Sequence, residues 1–199
     1  MIRKLPLIPT ILVACAVAVM IGLGVWQLDR ADQKQALLDQ YRAAQDQPPI
    51  AWPVVPPQEP PLFRRATGFC LQPTDKRVTA GRNRAGEPGY VHVVLCRTGA
   101  EGPGMAVQMG WSKDPQAPLD WKGGEVSGMI APDSKYRMRL VADEPAPGLQ
   151  PSEMPSIESI PNNHMFYAVQ WFLFAGIAVV IYLLAVRKRL KGDASEPKP

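Results

Sequence analysis

A histidine stands at the start of a long uncharged stretch, directly after two asparagines, in the segment NNHMFYAVQWF. At such a place the imidazole of His164 can ligate a metal or haem iron through a neutral ring nitrogen. It can also cap a helix, bind a lipid headgroup or titrate. A ligating histidine usually needs an acceptor that fixes its tautomer. The side-chain oxygen of Asn162 or Asn163 could serve, although helix N-capping is the other role open to these residues.

Other reactive motifs are missing from the sequence, which contains no GxSxG, CxxC or HExxH and only two histidines. This argues against a hydrolase or a redox enzyme, so we expect no catalytic residues. The second histidine, His92 in GYVHVV, is predicted to be a packed or half-exposed strand residue. Met105 and Met109 alternate with other apolar residues and are predicted to face a core rather than copper.

Two uncharged apolar stretches, 5–28 and 164–186, must position the histidine. Each exceeds the roughly 20 residues that a helix needs to cross a bilayer. The first could instead be a cleaved signal peptide, and LVAC at 12–15 resembles a lipoprotein cleavage box. Apolar sequence continues well beyond Cys15, however, which favours an uncleaved span. Both stretches are therefore predicted to be transmembrane helices.

The positive charge lies at the ends of the chain. The net charge is +4, with 22 Lys and Arg against 18 Asp and Glu, and the basic excess flanks the two spans at residues 3–4 and 187–191. This pattern predicts that both termini, 1–4 and 187–199, are cytoplasmic and that the main domain is periplasmic, in a bacterial inner membrane. The loop between the spans is nearly neutral, so the composition gives no support for a nucleic-acid partner; membrane lipids are expected to surround the spans.

The segment between the spans changes character three times. A helical extension is predicted over 29–47, a Pro-rich linker over 48–62, a β-rich domain over 63–142 and a second Pro-rich connector over 143–163. The fold class is thus an α+β membrane protein, with two transmembrane helices flanking a small antiparallel β-domain of about six strands, a barrel or a sandwich. Cys70 and Cys96 fall in this domain, where they could pair or remain as buried thiols.

The spans are expected to touch and to bring their outer ends to one depth. The pairing face is predicted from the small residues Ala14, Ala18 and Gly22, which recur at every fourth position. Four small residues are offered by the second span: Ala168, Ala175, Gly176 and Ala178. At the outer surface, this arrangement would place Trp26, Gln27 and Arg30 level with Asn163, His164, Tyr167 and Trp171. On the second helix, His164, Tyr167, Ala168, Trp171 and Ala175 are predicted to share a face.

These segments resemble the Surfeit locus protein 1 family. GLGVWQLDRADQK resembles its Gly-x-Trp-Gln-x-x-Arg signature, and NNHMFYAVQWF resembles its Asn-Asn-His-x-x-Tyr-x-x-x-Trp motif. Between them, GRNRAGEPGYVHVV and AVQMGW resemble its hairpin and its Gly-Trp strand. The matching motif residues are Gly24, Trp26, Gln27, Arg30, Asn162, Asn163, His164, Tyr167 and Trp171. One departure is Met109, which stands where the family usually has arginine.

The resemblance implies an assembly factor for a haem–copper terminal oxidase, chiefly cytochrome c oxidase. Bacterial members are thought to bind haem a and to help deliver it to the catalytic subunit, and the haem a synthesis machinery is a further expected partner. Carried onto this chain, the resemblance makes His164 the candidate iron ligand, with Arg30, Trp26 and Tyr167 lining or supporting the site. Gly24, Gln27, Asn162, Asn163 and Trp171 would serve a partner or the structure. The alternative is a scaffold that holds the immature oxidase subunit without binding haem.

Overall fold

The structure, a computed structural model, describes residues 6–53, 55 and 57–195. The predicted N-terminal segment 1–4 and the end of the predicted tail, 196–199, lie outside the described residues. The chain divides into two compact units. One comprises Met1–Leu37 with Pro161–Pro199, and the other comprises Leu38–Ile160.

Two long helices build the first unit. Helix α1 spans Leu7–Gln45 and helix α2 spans His164–Ser195. Both helical regions, Leu7–Gln45 and Ile157–Lys191, are long and apolar enough to cross a membrane. Helix α1 continues from the predicted span into the predicted extension without a break. It ends before Pro48 and Pro49, because a proline cannot donate the backbone hydrogen bond that would continue a helix.

A single seven-stranded sheet forms the second unit, in the order β1-β2-β6-β7-β5-β4-β3. The strands are β1 (Ile50–Ala51), β2 (Arg65–Cys70), β3 (Gln72–Arg82), β4 (Pro88–Arg97), β5 (Met105–Ser112), β6 (Gly124–Asp133) and β7 (Arg137–Ala142). The sheet is mixed rather than wholly antiparallel, since β1 pairs with β2 and β5 pairs with β7 in parallel. The β6–β7 hairpin causes the second of these pairings, because it lies between β2 and β5.

The core of the sheet unit takes alternating side chains from β6 at Val126, Gly128 and Ile130, whereas β5 is buried continuously over 105–111. Met105, Ile130 and Leu140 are fully buried, and Met109 is 3% exposed. The expectation that both methionines belong to the core is confirmed. A smaller apolar cluster joins the end of α1 to the connectors, with Leu38, Phe63 and Ile157 at its centre.

Cys70 and Cys96 form a disulfide that ties the end of β2 to β4. Both residues are only 1% exposed and belong to the main core. Of the two alternatives left open by the sequence, the structure has the paired form. A buried disulfide is typical of a domain that folds in an oxidising compartment.

Replacing both cysteines by alanine should lower the free energy of unfolding of the sheet unit by about 3 kcal/mol. The bond closes a loop with a sequence separation of 26 residues, and opening it returns that entropy to the unfolded chain. Thermal unfolding of the detergent-solubilised protein measures the change. The variant Cys15→Ala, at an exposed free cysteine, is the control and should unfold like the parent. Equal melting temperatures for all three proteins would contradict the prediction.

Candidate functional site

Helices α1 and α2 pack against each other in antiparallel directions. At one end Thr10 Oγ1 lies 2.5 Å from Tyr182 Oη, and at the other His164 Nδ1 lies 2.8 Å from Gln27 Oε1. The partly or fully buried positions recur at intervals of three and four, the spacing of a left-handed helix pair. On α1 they include Thr10, Val13, Val17, Met20, Gly24, Gln27 and Ala31, and on α2 His164, Ala168, Trp171, Ala175, Ala178 and Tyr182.

The structure corrects the predicted pairing face of the first helix. Ala14, Ala18 and Gly22 are all exposed. A strict four-residue repeat drifts around an α-helix, whereas alternating steps of three and four keep one seam facing the partner. On α2 the prediction is confirmed for Ala168 and Ala175, which are buried. It is wrong for Gly176, which is exposed.

Gly24 is a buried position of α1 where a side chain would meet α2. A Cβ atom at this position would lie 2.7 Å from two ring atoms of Phe172. The aromatic ring therefore occupies the space that the missing side chain leaves. This explains physically why a glycine stands one turn below Gln27, and it keeps the two helices close at the level of the site.

We expect Gly24→Leu to force the helices apart and to destabilise the pair by about 1–3 kcal/mol through overpacking. Gly22→Leu is a matched control, since a Cβ at Gly22 meets nothing within 4 Å. The distance between spin labels on the two helices, measured by pulsed EPR in detergent, should increase for Gly24→Leu alone. Equal distances in both variants would show that Phe172 simply moves aside.

One end of the seam holds a polar pair, His164 and Gln27. The amide oxygen of Gln27 is only an acceptor, so the imidazole must donate its Nδ1–H to it. In a neutral imidazole, this bond leaves the Nε2 lone pair free. The predicted acceptors Asn162 and Asn163 do not hold this role, because the ring nitrogen bonds across the helix pair rather than to its own chain segment.

Asn162 and Asn163 directly precede the first residue of α2. The backbone carbonyl of Asn163 accepts from the backbone N–H of Tyr167 at 3.2 Å, which places Asn163 at the N-cap. The side-chain oxygen Oδ1 of Asn162 is buried without a hydrogen-bond partner in the described part of the chain. The backbone of Asn163 thus marks where the helix begins, immediately before His164.

Three other predicted site residues lie on the flanks of the seam. Trp26 is 53% exposed and Tyr167 is 48% exposed. Arg30 follows Trp26 by one turn, and its Nη1 donates to Gln33 Oε1 of the same helix at 2.8 Å. Trp171 belongs to the seam itself, being half-buried. The direct contact that the structure adds is between His164 and Gln27, while roles for the flanking residues stay predictions.

Sequence reasoning gave Gln27 only a motif role and did not find its contact with His164. The spacing of three and four residues from Thr10 through Gly24 to Gln27 was the signal that could have found it. The remaining candidates lie in the sheet unit. His92 is 3% exposed, as expected for a packed strand residue. In the segment GRNRAGEPGYVHVV, Arg82 donates to the backbone carbonyl of Gly86 and Arg84 donates to that of Asp143.

The fold and the site define a class of protein, one with two candidate membrane-spanning helices flanking a mixed-sheet domain. Within the described residues, no group of three or more His, Cys, Asp or Glu side chains could hold a metal ion. The profile of the SURF1 family matches residues 14–176, and the chain therefore belongs to this family. This is a family of assembly factors for cytochrome oxidase. Among curated proteins, none matches the chain.

Proposed function

We propose that this protein assists assembly of a haem–copper terminal oxidase by binding haem a transiently and aiding its insertion into the catalytic subunit. The observation that supports haem binding best is the bond from His164 to Gln27. Histidines that ligate metals commonly donate their second ring nitrogen to an oxygen acceptor, which orients the ring and raises its basicity. Here that acceptor is already in place, and Nε2 is the nitrogen left for iron.

The surroundings suit an apolar macrocycle with charged edges. Exposed aromatic rings of Trp26 and Tyr167 offer flat apolar surface next to the seam. Arg30 is an exposed cation at the outer end of the same unit, where a propionate could remain close to water. Haem would supply an iron that accepts the imidazole as an axial ligand. Ligation by a single protein side chain is consistent with transient binding, because the haem must later be released.

Two observations support a periplasmic position for the sheet unit. It contains the disulfide between Cys70 and Cys96, which an oxidising compartment permits. The basic cluster at 187–191 follows the second apolar stretch, as expected on the cytoplasmic side of a bacterial inner membrane. The catalytic oxidase subunit and the haem a synthesis machinery are the proposed partners. Both would contact the protein at the periplasmic face of the inner membrane.

A scaffold that grips the oxidase subunit without haem is the second candidate. The same His164–Gln27 bond favours it to a degree, since hydrogen bonds between side chains also join membrane helices that bind no cofactor. In that case the pair would be structural, and the exposed aromatic residues would contact protein rather than porphyrin.

Titration of the purified apoprotein with haem a in detergent tests the proposal. Saturable binding at one haem per chain, with the low-energy charge-transfer and EPR features of histidine-ligated iron, is the expected result. Haem that only partitions into the detergent micelle, with a spectrum identical to protein-free micelles, would overturn haem carriage. Co-purification of the oxidase subunit under those conditions would then favour the scaffold.

The proposed contact of Arg30 with a propionate predicts a graded effect. Arg30→Gln should weaken haem a binding roughly tenfold, because one charge-assisted hydrogen bond is lost. Arg30→Lys keeps the charge and should recover most of the affinity. The comparison is made by equilibrium titration at two salt concentrations. Parent-like affinity in Arg30→Gln would remove the propionate contact while leaving iron ligation untouched.

A further inference from the structure

A second polar site lies in the sheet unit and is independent of haem. A cavity of about 320 Å³ is lined by β3, β4 and the loop 115–119. This volume falls at the lower end of the range for small-molecule sites. Three features of its lining point to a ligand: a buried histidine, a lysine and a set of apolar side chains.

The histidine is His92, which is 3% exposed and whose Nε2 has no hydrogen-bond partner. The backbone of Asp114 is the hydrogen-bonding neighbour that raises the pKa of this imidazole, and Nε2 is the ring nitrogen without a partner. Burial lowers the pKa of His92, and the backbone and carboxylate of Asp114 oppose this only in part. The imidazole is therefore neutral at pH 7, and the Nε2 lone pair is an acceptor without a donor.

The lysine is Lys76, whose position on the cavity side follows from register and from a contact. Val78 pairs directly with His92, so Lys76, two residues away on β3, projects from the same face of the sheet as His92. Lys76 Nζ donates to the carbonyl of Leu119 at 2.6 Å. An ammonium group has three donors, and this bond uses one of them. Lys76 thus attaches the loop 115–119 to the sheet and retains donors for a ligand.

The rest of the lining is mostly apolar, with Val78, Val93, Pro115, Ala117, Pro118 and Leu119 alongside the polar residues. The charged groups around His92 are Lys76 and Arg77 on β3 and Asp114 in the loop. Arg77 shares Asp133 with Arg139, and it projects from the face of β3 opposite to Lys76 and Val78. Lys76 is then the cation that a ligand can use, beside a short apolar wall.

We propose that this cavity binds a compact carboxylate with a short apolar chain, together with one proton shared between the ligand and His92. One carboxylate oxygen accepts from Lys76, and the other meets His92 Nε2 with the proton between them. The apolar chain contacts the side chains of the loop and of Val78. A neutral imidazole facing a carboxylate without that proton would leave two acceptors opposed, so binding must take up one proton from neutral solution.

The chain contains only two histidines, which makes a direct test possible. Full-length protein labelled with ¹⁵N-histidine gives two imidazole spin systems, and the variant His164→Ala assigns them. Adding butyrate at pH 7 should move the His92 signals saturably towards the imidazolium pattern and leave His164 unchanged. Affinity should increase as the pH falls. Chloride at equal ionic strength serves as the reference for screening.

Lys76→Met should weaken butyrate binding roughly tenfold, because a charge-assisted hydrogen bond is lost. Lys122→Met is the matched control, since Lys122 is exposed and pairs with Asp120 outside the cavity lining. If the chemical shifts of His92 do not change on addition of butyrate at any pH, the proposal is overturned. Signals that respond to inorganic phosphate but not to butyrate would also overturn it, because the apolar wall would then have no role.

Discussion

Haem a binding should be lost when His164 is replaced by alanine, with affinity reduced at least ~100-fold. The imidazole supplies the proposed protein bond to iron, and no second histidine lies in the helical unit. Equilibrium titration with haem a gives the affinity. Free imidazole added to the variant should restore the spectrum of ligated iron, which a misfolded protein would not do. A variant that binds haem a as tightly as the parent would contradict ligation by His164.

Gln27 should act on the iron through His164. Gln27→Leu removes the acceptor, so the ring can rotate or change tautomer, and haem affinity should fall roughly 10- to 100-fold. Gln27→Glu offers a stronger acceptor and should lower the reduction potential of the bound haem while preserving binding. A purely structural contact between the helices would leave the potential unchanged. The potential is therefore the decisive measurement for this pair.

The two helices and the strand-rich segment were accessible from sequence because each depends on local pattern. An uncharged run of bilayer length predicts a helix, and period-two alternation predicts a strand. The predicted extension to residue 47 lies close to the end of α1 at Gln45, where prolines follow. These signals depend on neighbouring residues alone, so they are readable without knowledge of the tertiary fold.

The sheet order was not readable, because pairing joins residues that are distant in sequence. Strand β1 has only two residues inside a Pro-rich segment, too few for a pattern. The parallel contact of β5 with β7 depends on where a whole hairpin inserts. The disulfide could not be predicted for the same reason, because it joins residues on different strands. Two buried cysteines allow a bond, but the sequence does not show that β2 and β4 bring their sulfurs together.

The sequence predicted that the site residues lie at the same depth in the membrane, but it did not predict which side chains touch. Positive charges at the ends of the chain placed Trp26 and Gln27 level with His164, and the structure joins Gln27 to His164 directly. The sequence argument favoured a face made of small residues, and α1 instead presents larger side chains such as Val17 and Met20 to the seam. Small residues permit close approach, yet which partner uses them depends on both helices at once.

Asp133→Ala should have the largest effect on stability, lowering the free energy of unfolding of the sheet unit by about 3–5 kcal/mol. The side chain of Asp133 is 0% exposed and pairs with the guanidinium groups of Arg77 and Arg139. Its Oδ1 also accepts from the backbone N–H groups of Lys135 and Tyr136, at 2.9 Å each. Alanine would leave two partly buried arginines unpaired and the β6–β7 turn without its side-chain acceptor.

The same contacts predict a dependence on acid. Burial by itself would raise the pKa of Asp133, but the hydrogen bond from Arg77 and those from the Tyr136 and Lys135 backbones outweigh it, and the pKa falls from 3.8 to about 2. The charged form is thus favoured in the folded state. Its contribution of about 2 kcal/mol is complete above pH 4 and is lost as the pH falls through 2.

Asp133→Asn removes the negative charge but keeps a side-chain oxygen that can accept the hydrogen bonds of the turn. The amide oxygen can still accept from the two backbone N–H groups, so part of the stability should remain, but the acid-dependent part should disappear. Asp120→Asn is the control, at a carboxylate that is 79% exposed, and should unfold like the parent. Chemical denaturation at pH 7 and at pH 2.5 measures both effects. If Asp133→Asn kept the acid sensitivity of the parent, another carboxylate would have to carry it.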